Sequence, residues 1–273
     1  FNAFGNLKLE DLKNRMSRGK NMNIAVLLKQ VPDTTAKITI SNGKVDENNV
    51  SKWSMSPYDE YALESGLQLK EVTGGSLIAI TCGPERTKKM LTDAAAVGAD
   101  KLIHISEDKV LDSTQVQKLL AATVEKSGAE VVLCGKQAAD TNSGSTGPGV
   151  AEILNAVCVS MVSEVSINEN NFISTRPSNS GAEKVSSNGI SVFTFDKGIS
   201  ELRRPNVRGI MMAKKKTIET IKPEEIGLEI ENSDRITLQS QNSPPEKEPG
   251  QIFEGVENIP EIVSKLRNEA NVI

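Results

Sequence analysis

The residues of this chain best suited to chemistry are the small and polar side chains of residues 135–149, whose sequence is GKQAADTNSGSTGPG. They follow the short β-branched apolar run VVLC at 131–134 and precede the helical pattern VAEIL at 150–154. A loop between a buried strand and a helix start presents backbone N–H groups and hydroxyls to a concavity, which suits a phosphate. We therefore predict a nucleotide-binding loop, with polar atoms supplied by Asp140, Thr141, Asn142, Ser143, Ser145 and Thr146.

Two alternative interpretations of this loop stay open on spacing alone. It lacks the Gly-Lys-Ser/Thr ending of a Walker A motif and the GxGxxG spacing of a dinucleotide fingerprint. An ordinary polar connection between a strand and a helix is therefore one alternative. A nucleotide hydrolase or transferase is the other, but it would need a pair of acidic metal ligands or a catalytic base, and the loop offers Asp140 alone.

Other catalytic chemistries have little to draw on, because the chain has one histidine and three cysteines. His104 lies inside the apolar pattern LIHI at 102–105, which favours a structural role and argues against Ser-His-Asp triads and histidine metal sites. Cys82, Cys134 and Cys158 are an odd number without CxxC spacing, which is typical of structural thiols in a reducing compartment.

Composition excludes two classes of partner. Aromatic residues make up only 3% of the 273 residues and the net charge is −4, so a nucleic-acid partner is not expected. No apolar run approaches the roughly 20 residues that cross a bilayer, so membrane insertion is not expected either. The length suffices for one large or two small domains with a proper core.

The elements that must position the loop alternate between strand and helix. Buried-strand patterns lie at 24–28, 77–82, 102–105 and 131–134, and helical patterns begin at Ser56-Pro57, after Gly83-Pro84 and near Asp112. This alternation predicts an α/β fold with a parallel, doubly wound sheet, which binds ligands beyond the carboxyl ends of its strands. The residues that fall at or near those ends are Leu27, Ser56, Cys82 and Gly135, so we expect them to converge on one crevice.

The remainder of the chain is less regular. Strand-type patterns at 157–165, 172–176, 184–185 and 190–195 extend the sheet or form a subdomain, and residues 197–209 form a basic loop without a clear period. A polar, proline-rich segment at 222–250 resembles an arm that lies on another surface. A helix near 259–269 offers an apolar docking face made of Ile259, Ile262, Val263 and Leu266. We therefore divide the chain into an N-terminal extension of unknown role (1–21), an α/β nucleotide-binding domain (22–221) and a C-terminal arm with a helix (222–273).

Several motifs together resemble one protein family over essentially all of residues 22–273. Their order along the chain makes the likeness specific, and they are KQVPD (29–33), SMSPYDEYAL (54–63), CGP (82–84), AAAVGAD (94–100), GKQA (135–138), TGP (146–148), GIMMAKKK (209–216) and IKP (221–223). The chain resembles the β subunit of electron-transfer flavoproteins. The resemblance implies an adenine-nucleotide α-hydrolase-like sheet with a C-terminal docking loop and an extended arm.

The resemblance also implies a heterodimer that passes electrons between dehydrogenases and an acceptor. In such a heterodimer the α subunit holds the redox FAD. The β-subunit site holds AMP in most members and a second FAD, which accepts hydride from NADH, in the electron-bifurcating branch. Further partners would be a dehydrogenase such as an acyl-CoA dehydrogenase and, in that branch, ferredoxin. The location would be the cytoplasm of a bacterium or the mitochondrial matrix of a eukaryote.

The family's functional residues carry over by position. The nucleotide contacts would be Leu27, Ser56, Cys82, Gly135, Asp140, Thr141, Gly144, Ser145 and Thr146, and Tyr58 matches an aromatic that approaches the flavin of the α subunit. The resemblance implies a docking loop near 197–212 for dehydrogenase partners, with Glu201, Arg203 and Val207 in it. The chain has NSGS at 142–145 and ELRR at 201–204 where relatives differ, whereas KGIS at 197–200 is closer to anaerobic bacterial members and favours bifurcation. AMP or a second FAD in the β-subunit site stays open, and the alternative function is a stand-alone adenine-nucleotide sensor.

Overall fold

The computed structural model describes residues 21–228, 236, 238–246 and 249–273 of the chain. The expected N-terminal extension at 1–21 therefore lies outside the described residues except for Asn21. Parts of the expected arm at 222–273 lie outside them as well.

The helices begin and end at local signals that the sequence carries. The helix at 113–127 begins after Asp112, whose side chain accepts a hydrogen bond from the N–H of Gln115 at 2.9 Å, and it ends at Gly128, where φ is 67°. In chain order the described α-helices are Pro57–Thr73 (α1), Lys88–Val97 (α2), Ser113–Ser127 (α3), Thr146–Ile153 (α4), Val207–Ala213 (α5) and Ile259–Asn268 (α6).

The strands divide between one large sheet and three small ones. The described strands are Asn23–Leu27 (β1), Gln30–Pro32 (β2), Ile40–Ser41 (β3), Lys44–Val45 (β4), Trp53–Met55 (β5), Ser76–Gly83 (β6), Lys101–Ser106 (β7), Val131–Gly135 (β8), Val157–Val162 (β9), Glu164–Asn168 (β10), Asn171–Ser178 (β11), Gly181–Ser187 (β12), Ser191–Phe195 (β13) and Glu219–Ile221 (β14). Among the described residues, seven strands form the central sheet in the order β14-β7-β6-β1-β8-β13-β9, and every pair in it is parallel.

Both faces of this sheet are covered by helices. Ile24 and Val26 on β1 point into the core formed with α1 and α2, whereas Ala25 and Leu27 point into the core formed with α3 and α4. Alternate residues of a strand face opposite sides, and a strand buried on both sides is apolar throughout. The predicted doubly wound, parallel α/β fold is confirmed.

The strand-type patterns after residue 156 partly extend the central sheet and partly form a separate sheet, which are the two possibilities that the sequence leaves open. β13 and β9 join the central sheet next to β8, with β9 at the edge, whereas β10, β11 and β12 form a separate antiparallel sheet. The pairing of β13 with β9 changes register between Phe193 and Phe195. At this point the backbone of Met161 adopts a φ of 59° and its N–H donates to Thr194 Oγ1 at 3.1 Å. The small hairpin of β3 and β4 turns at Asn42-Gly43, as predicted.

The C-terminal part differs from the sequence prediction in two details. The basic loop at 197–209 is not irregular throughout, because α5 begins at Val207 after Asn206, whose side chain accepts from the N–H of Gly209 at 2.7 Å. The described part of the arm contacts the chain itself. Ile226 and Leu228 pack against the core, and Gln241 donates from its N–H to Gly43 O at 2.7 Å and accepts from the N–H of Val45 at 2.9 Å. Within the described ranges, no helix has both the length and the apolar character that a bilayer crossing requires.

Candidate nucleotide-binding site

The carboxyl ends of three neighbouring strands meet at one edge of the sheet. Leu27 at the end of β1 is in register with Ile80 on β6 and with Cys134 on β8. Cys82 and Gly135 follow these two partners on their strands, and the N–H of Ser56 donates to Lys29 O at 2.9 Å. The structure therefore brings together Leu27, Ser56, Cys82 and Gly135, as the sequence predicts.

A buried carboxylate that the sequence prediction missed lies between two of these strand ends. Asp59 lies in the first turn of α1 and is only 6% exposed. Its Oδ2 accepts a hydrogen bond from the N–H of Lys29 at 2.7 Å, and its Oδ1 accepts one from the N–H of Gly135 at 2.9 Å. Burial raises the pKa of Asp59 to about 7, although both hydrogen bonds lower it. The sequence carried only a weak signal for this role. An acidic residue in the first turn of a helix is common and does not itself indicate a distant partner.

The loop after β8 is held near the strand ends by polar contacts. Lys29 Nζ forms an ion pair with Asp140 Oδ1 at 2.8 Å. The N–H of Asn142 donates to Ala138 O at 2.9 Å, and Asn142 and Gly144 both have positive φ, 51° and 64°. Thr141 lies exposed in this turn.

The start of α4 packs tightly on the sheet and on α3. A Cβ atom at Gly147 would collide with Thr194 Cγ2 and lie 2.9 Å from Cys134 Sγ. Gln117 on α3 donates from Nε2 to Ser145 O at 3.0 Å, and its side chain fills the space that a Cβ at Gly149 would need. Gly147 is therefore needed for α4 to pack on the sheet, whereas a side chain at Gly149 would displace Gln117 from Ser145.

Three buried hydroxyls at this edge have no hydrogen-bond partner among the described residues. They are Ser56 Oγ and Thr81 Oγ1, on residues with no exposed surface, and Ser145 Oγ, at the residue before α4. Ser56 is the N-cap residue of α1, but its side chain makes no capping hydrogen bond. Buried polar groups are normally hydrogen-bonded. The open hydroxyls and the N–H groups at the start of α4 therefore fit a polar, phosphate-bearing ligand, and Thr146 lies beside them as the first residue of α4.

Lys136 and Asp196 form an ion pair beside Tyr58, the aromatic residue next to the crevice. Lys136 Nζ lies 4.8 Å from the ring centroid of Tyr58 and 3.0 Å from Asp196 Oδ1. The hydrogen bond to Asp196, together with its charge, raises the pKa of Lys136. Lys136 is therefore a cation held by Asp196 against the ring, and it stabilises the ring's orientation.

The thiols and the histidine near the site are poorly suited to nucleophilic chemistry. Burial raises the pKa of Cys82 to about 12 and also raises the pKa of Cys134. His104 is fully buried and its Nε2 lies 2.8 Å from Gly83 O, as expected of a structural histidine, whereas its Nδ1 has no hydrogen-bond partner among the described residues. Within the described part of the chain, no group of three or more His, Cys, Asp or Glu side chains is placed to hold a metal ion.

Comparison with known proteins identifies the family. A model of the electron transfer flavoprotein domain matches residues 44–226, which is more than half of the chain. The chain belongs to the electron transfer flavoprotein family, among its β subunits.

The curated relatives in this family are similar over nearly their whole length. The electron transfer flavoprotein subunit beta of Bacillus subtilis (strain 168) is 34% identical over 258 residues, which are 92% of this chain and 100% of the relative. The subunit beta of Homo sapiens is 32% identical over 255 residues, 90% of this chain and 97% of the relative. The mitochondrial subunit beta of Oryza sativa subsp. indica is 30% identical over 258 residues, 92% of this chain and 100% of the relative.

The segment of this electron transfer flavoprotein chain that was predicted to dock partners combines exposed and internally bound residues. Glu201 is exposed, and Val207 is 76% exposed at the start of α5. Ile210, Met211 and Met212 on α5 are also more than 40% exposed. Together they form an apolar surface, which we call the α5 surface, and exposed apolar patches of this kind are typical of interaction sites.

Arg203 is directed inward, toward α1. Its Nε and Nη2 donate to Glu64 Oε2 and Oε1 at 2.8 and 2.9 Å, and its Nη1 donates to Glu71 Oε1 at 2.6 Å. Burial alone would raise the pKa of Glu64, but the hydrogen bonds from Arg203 outweigh burial and lower it, while the pKa of Arg203 is raised. Arg203 therefore holds the docking segment on the core, and a docking role for it stays a prediction.

Proposed function

We propose that this chain joins an FAD-bearing α subunit in a heterodimer that passes electrons between dehydrogenases and an acceptor. The observation that carries the proposal is the polar crevice at the ends of β1, β6 and β8, where the buried hydroxyls of Ser56 and Ser145 stay without a partner among the described residues. A crevice at this edge of a doubly wound sheet is the expected site of a nucleotide. Family membership supports the link to electron transfer.

The residues that would hold the nucleotide surround this crevice. Leu27 and Cys82 would form its apolar wall, the hydroxyls of Ser56 and Ser145 would bind polar atoms of the ligand, and Gly144 would let the backbone approach closely. Gly135 would line the crevice with its backbone, because Asp59 and Tyr58 occupy the space over its Cα atom. The N–H groups at Thr146 and the residues after it would face the phosphate, with Thr141 on the open side and Asp140 neutralised by Lys29. A flavin in this site would supply hydride and single-electron transfer, whereas AMP would supply structure alone.

Tyr58 would face the flavin of the α subunit. Its ring is half-buried and is held from one side by the ammonium group of Lys136. Lys136 thereby keeps a positive charge beside the ring, and a positive charge near a flavin favours its reduced, anionic forms. The resemblance of residues 54–63 to the family motif supports this role.

The surface that would contact the α subunit is the C-terminal helix. Ile259, Val263 and Leu266 on α6 are 53%, 37% and 37% exposed and share one face of the helix. Ile252 and Val256, which precede it, are 88% and 79% exposed. A stand-alone nucleotide sensor has no need for an apolar helix face in solvent, so the α6 face favours the heterodimer over that alternative.

The dehydrogenase would dock on the α5 surface. Val207 would insert into the partner as the central apolar contact, and Glu201 would lie beside it in the same segment. An acyl-CoA dehydrogenase is the partner class that the family resemblance implies. In the bifurcating form, NADH would donate the electrons and ferredoxin would be one of two acceptors.

Nucleotide content tests the proposal directly. The chain is co-expressed with its α subunit, the complex is denatured, and FAD and AMP are measured per heterodimer. Two FAD and no AMP would support the bifurcating form, whereas one FAD and one AMP would support a conventional carrier. A complex with one FAD and nothing in the second site, or failure of the chain to bind any α subunit, would overturn the corresponding part of the proposal.

A matched pair of variants assigns the second nucleotide to this crevice. Ser145→Ala removes the buried hydroxyl before α4, and we expect it to lower the content of the second nucleotide severalfold. Ser113→Ala changes the exposed first residue of α3 and serves as the control, with unchanged content. Equal content in both variants would place the second nucleotide elsewhere.

A further inference from the structure

Asp59 connects two strands that are neighbours in the sheet but distant in sequence. One carboxylate oxygen binds the N–H of Lys29, just beyond β1, and the other binds the N–H of Gly135, the last residue of β8. Lys29 and Gly135 lie 30 and 76 residues from Asp59 along the chain. Beyond the last ladder pair, Leu27 and Cys134, a single carboxylate therefore links the two strand ends at which the crevice opens.

The same carboxylate controls where the binding loop starts. Gly135 is the first residue of the loop at 135–149, and the space over it is filled by Asp59, because a Cβ at Gly135 would lie 2.5 Å from Asp59 Oδ1. Lys29, whose N–H the other oxygen holds, reaches with its side chain to Asp140 in the middle of the loop. The loop is thus tied to Asp59 at its beginning directly and at its middle through Lys29.

We propose that Asp59 is the positioning residue of the nucleotide site, which holds the ends of β1 and β8 and the loop that follows β8 in the geometry that binds the ligand. The inference rests on the proposed function for the identity of the ligand, but the positioning itself concerns the chain alone. Asp59 does not contact the nucleotide in this assignment. It acts through Lys29 and Gly135.

The protonation state of Asp59 depends on the charged groups around it. The groups that face it are Lys29 and Asp140 from the strand end and the loop, Cys134 from β8, and Tyr58 with its Lys136–Asp196 pair. Burial raises the pKa of Asp59 to about 7, so its charge changes near neutral pH. The two N–H groups that it binds therefore report its ionisation directly.

Nucleotide retention in the co-expressed heterodimer is the first test. Asp59→Asn keeps the shape of the side chain but presents an NH2 group to one of the two N–H donors, so one strand end loses its acceptor. We expect the variant to retain the second nucleotide about tenfold less tightly or worse. Glu60→Gln, the exposed neighbour on the same helix, is the control and should retain it normally. Equal retention in wild type and Asp59→Asn would overturn the inference.

A second measurement needs no nucleotide. In the wild-type complex stripped of nucleotide, the amide signals of Lys29 and Gly135 should shift together with a midpoint near pH 7, because both donate to the same carboxylate. In the folded Asp59→Asn complex neither signal should titrate, and the amides of the loop at 135–145 should exchange with solvent at least several times faster than in the wild type. Separate midpoints for the two amides in the wild type, or equal exchange of the loop amides in the two proteins, would overturn the inference. A wild-type complex that holds no second nucleotide, but whose loop amides exchange faster after Asp59→Asn, would instead overturn the proposed function alone.

Discussion

The guanidinium of Arg203 and the carboxylate of Glu64 are joined by two side-chain hydrogen bonds of 2.8 and 2.9 Å, and the backbone N–H of Arg203 adds a third at 3.2 Å. The Glu64 side chain is 6% exposed and that of Arg203 is 31% exposed. The pair is therefore the point at which the docking segment is fixed to α1, and it links the position of the α5 surface to the core.

Loss of Arg203 should destabilise the chain, because it leaves the buried Glu64 carboxylate without its partner. For Arg203→Ala we expect a loss of roughly 2–3 kcal/mol, below the full value for a buried pair since Arg203 reaches solvent. The melting temperature should then fall by about 5–10 °C. Arg176→Ala removes an ion pair of similar length, Arg176 Nε to Glu183 Oε2 at 2.9 Å, whose side chains are 39% and 42% exposed, and it should change stability far less. Equal losses in the two variants would contradict the assignment.

Asp59 should make stability depend on pH in the direction opposite to most carboxylates. Its pKa rises from 3.8 to about 7 on folding, so between these pH values the folded chain binds more protons than the unfolded chain. The contribution of Asp59 to the unfolding free energy is therefore greatest below about pH 4 and falls as the pH rises to about 7, by on the order of 4 kcal/mol. Urea unfolding of wild type and Asp59→Asn at several pH values isolates this contribution. A wild-type unfolding free energy that rises with pH relative to that of Asp59→Asn would contradict the prediction.

Gly135→Ala should damage the crevice without changing any polar group. The new methyl would lie 2.5 Å from Asp59 Oδ1 and 2.7 Å from Tyr58 Cβ, so the start of α1 or the end of β8 must shift. We expect a loss of about 1–3 kcal/mol and a lower content of bound nucleotide. Gly250→Ala is the control, because nothing lies within 4 Å of its Cβ position. Calorimetry measures the loss of stability, and nucleotide extraction measures the bound nucleotide. A Gly135→Ala variant with wild-type stability and nucleotide content would contradict the close contact between Gly135 and Asp59.

Leu266→Asp should weaken association with the α subunit and leave the isolated chain as stable as before. Leu266 is 37% exposed on the apolar face of α6, so its replacement changes the stability of the isolated chain little. In a complex, burial of its apolar area against the partner would add to the binding free energy. We expect about tenfold weaker binding or worse. Ser264→Asp introduces the same charge on the opposite face and should bind normally. Titration of each variant with the α subunit measures the two affinities. Equal affinities would show that this face of α6 is not part of the interface.

Val207→Asp should slow electron transfer from the partner dehydrogenase while flavin content and melting temperature stay unchanged. Val207 is 76% exposed, so the substitution should alter stability by less than about 0.5 kcal/mol. Val110→Asp, at a valine that is 84% exposed and lies before α3, is the control for an added surface charge. Stopped-flow reduction by the dehydrogenase compares the two. The same slowing in both variants would indicate a general charge effect rather than docking at Val207.

The sequence alone determined the elements and the region of the candidate site. Buried strands appear as continuous apolar runs and helices carry their own caps, so β1, β6, β7 and β8 and the helices between them could be predicted locally. The carboxyl ends of parallel strands must share one edge, which is why Leu27, Ser56, Cys82 and Gly135 could be assigned to one crevice before any contact was known.

Only the tertiary structure decided what holds that site together. Asp59 contacts Gly135, which is 76 residues away in the sequence, and Arg203 contacts Glu64, which is 139 residues away. No local sequence pattern predicts either pair. The division of the later strands between two sheets was likewise open, because strand periodicity shows which residues alternate but not which strand they pair with. Hydrophobic periodicity and caps are local properties of the chain, whereas polar contacts between distant residues are satisfied only when the whole sheet has assembled.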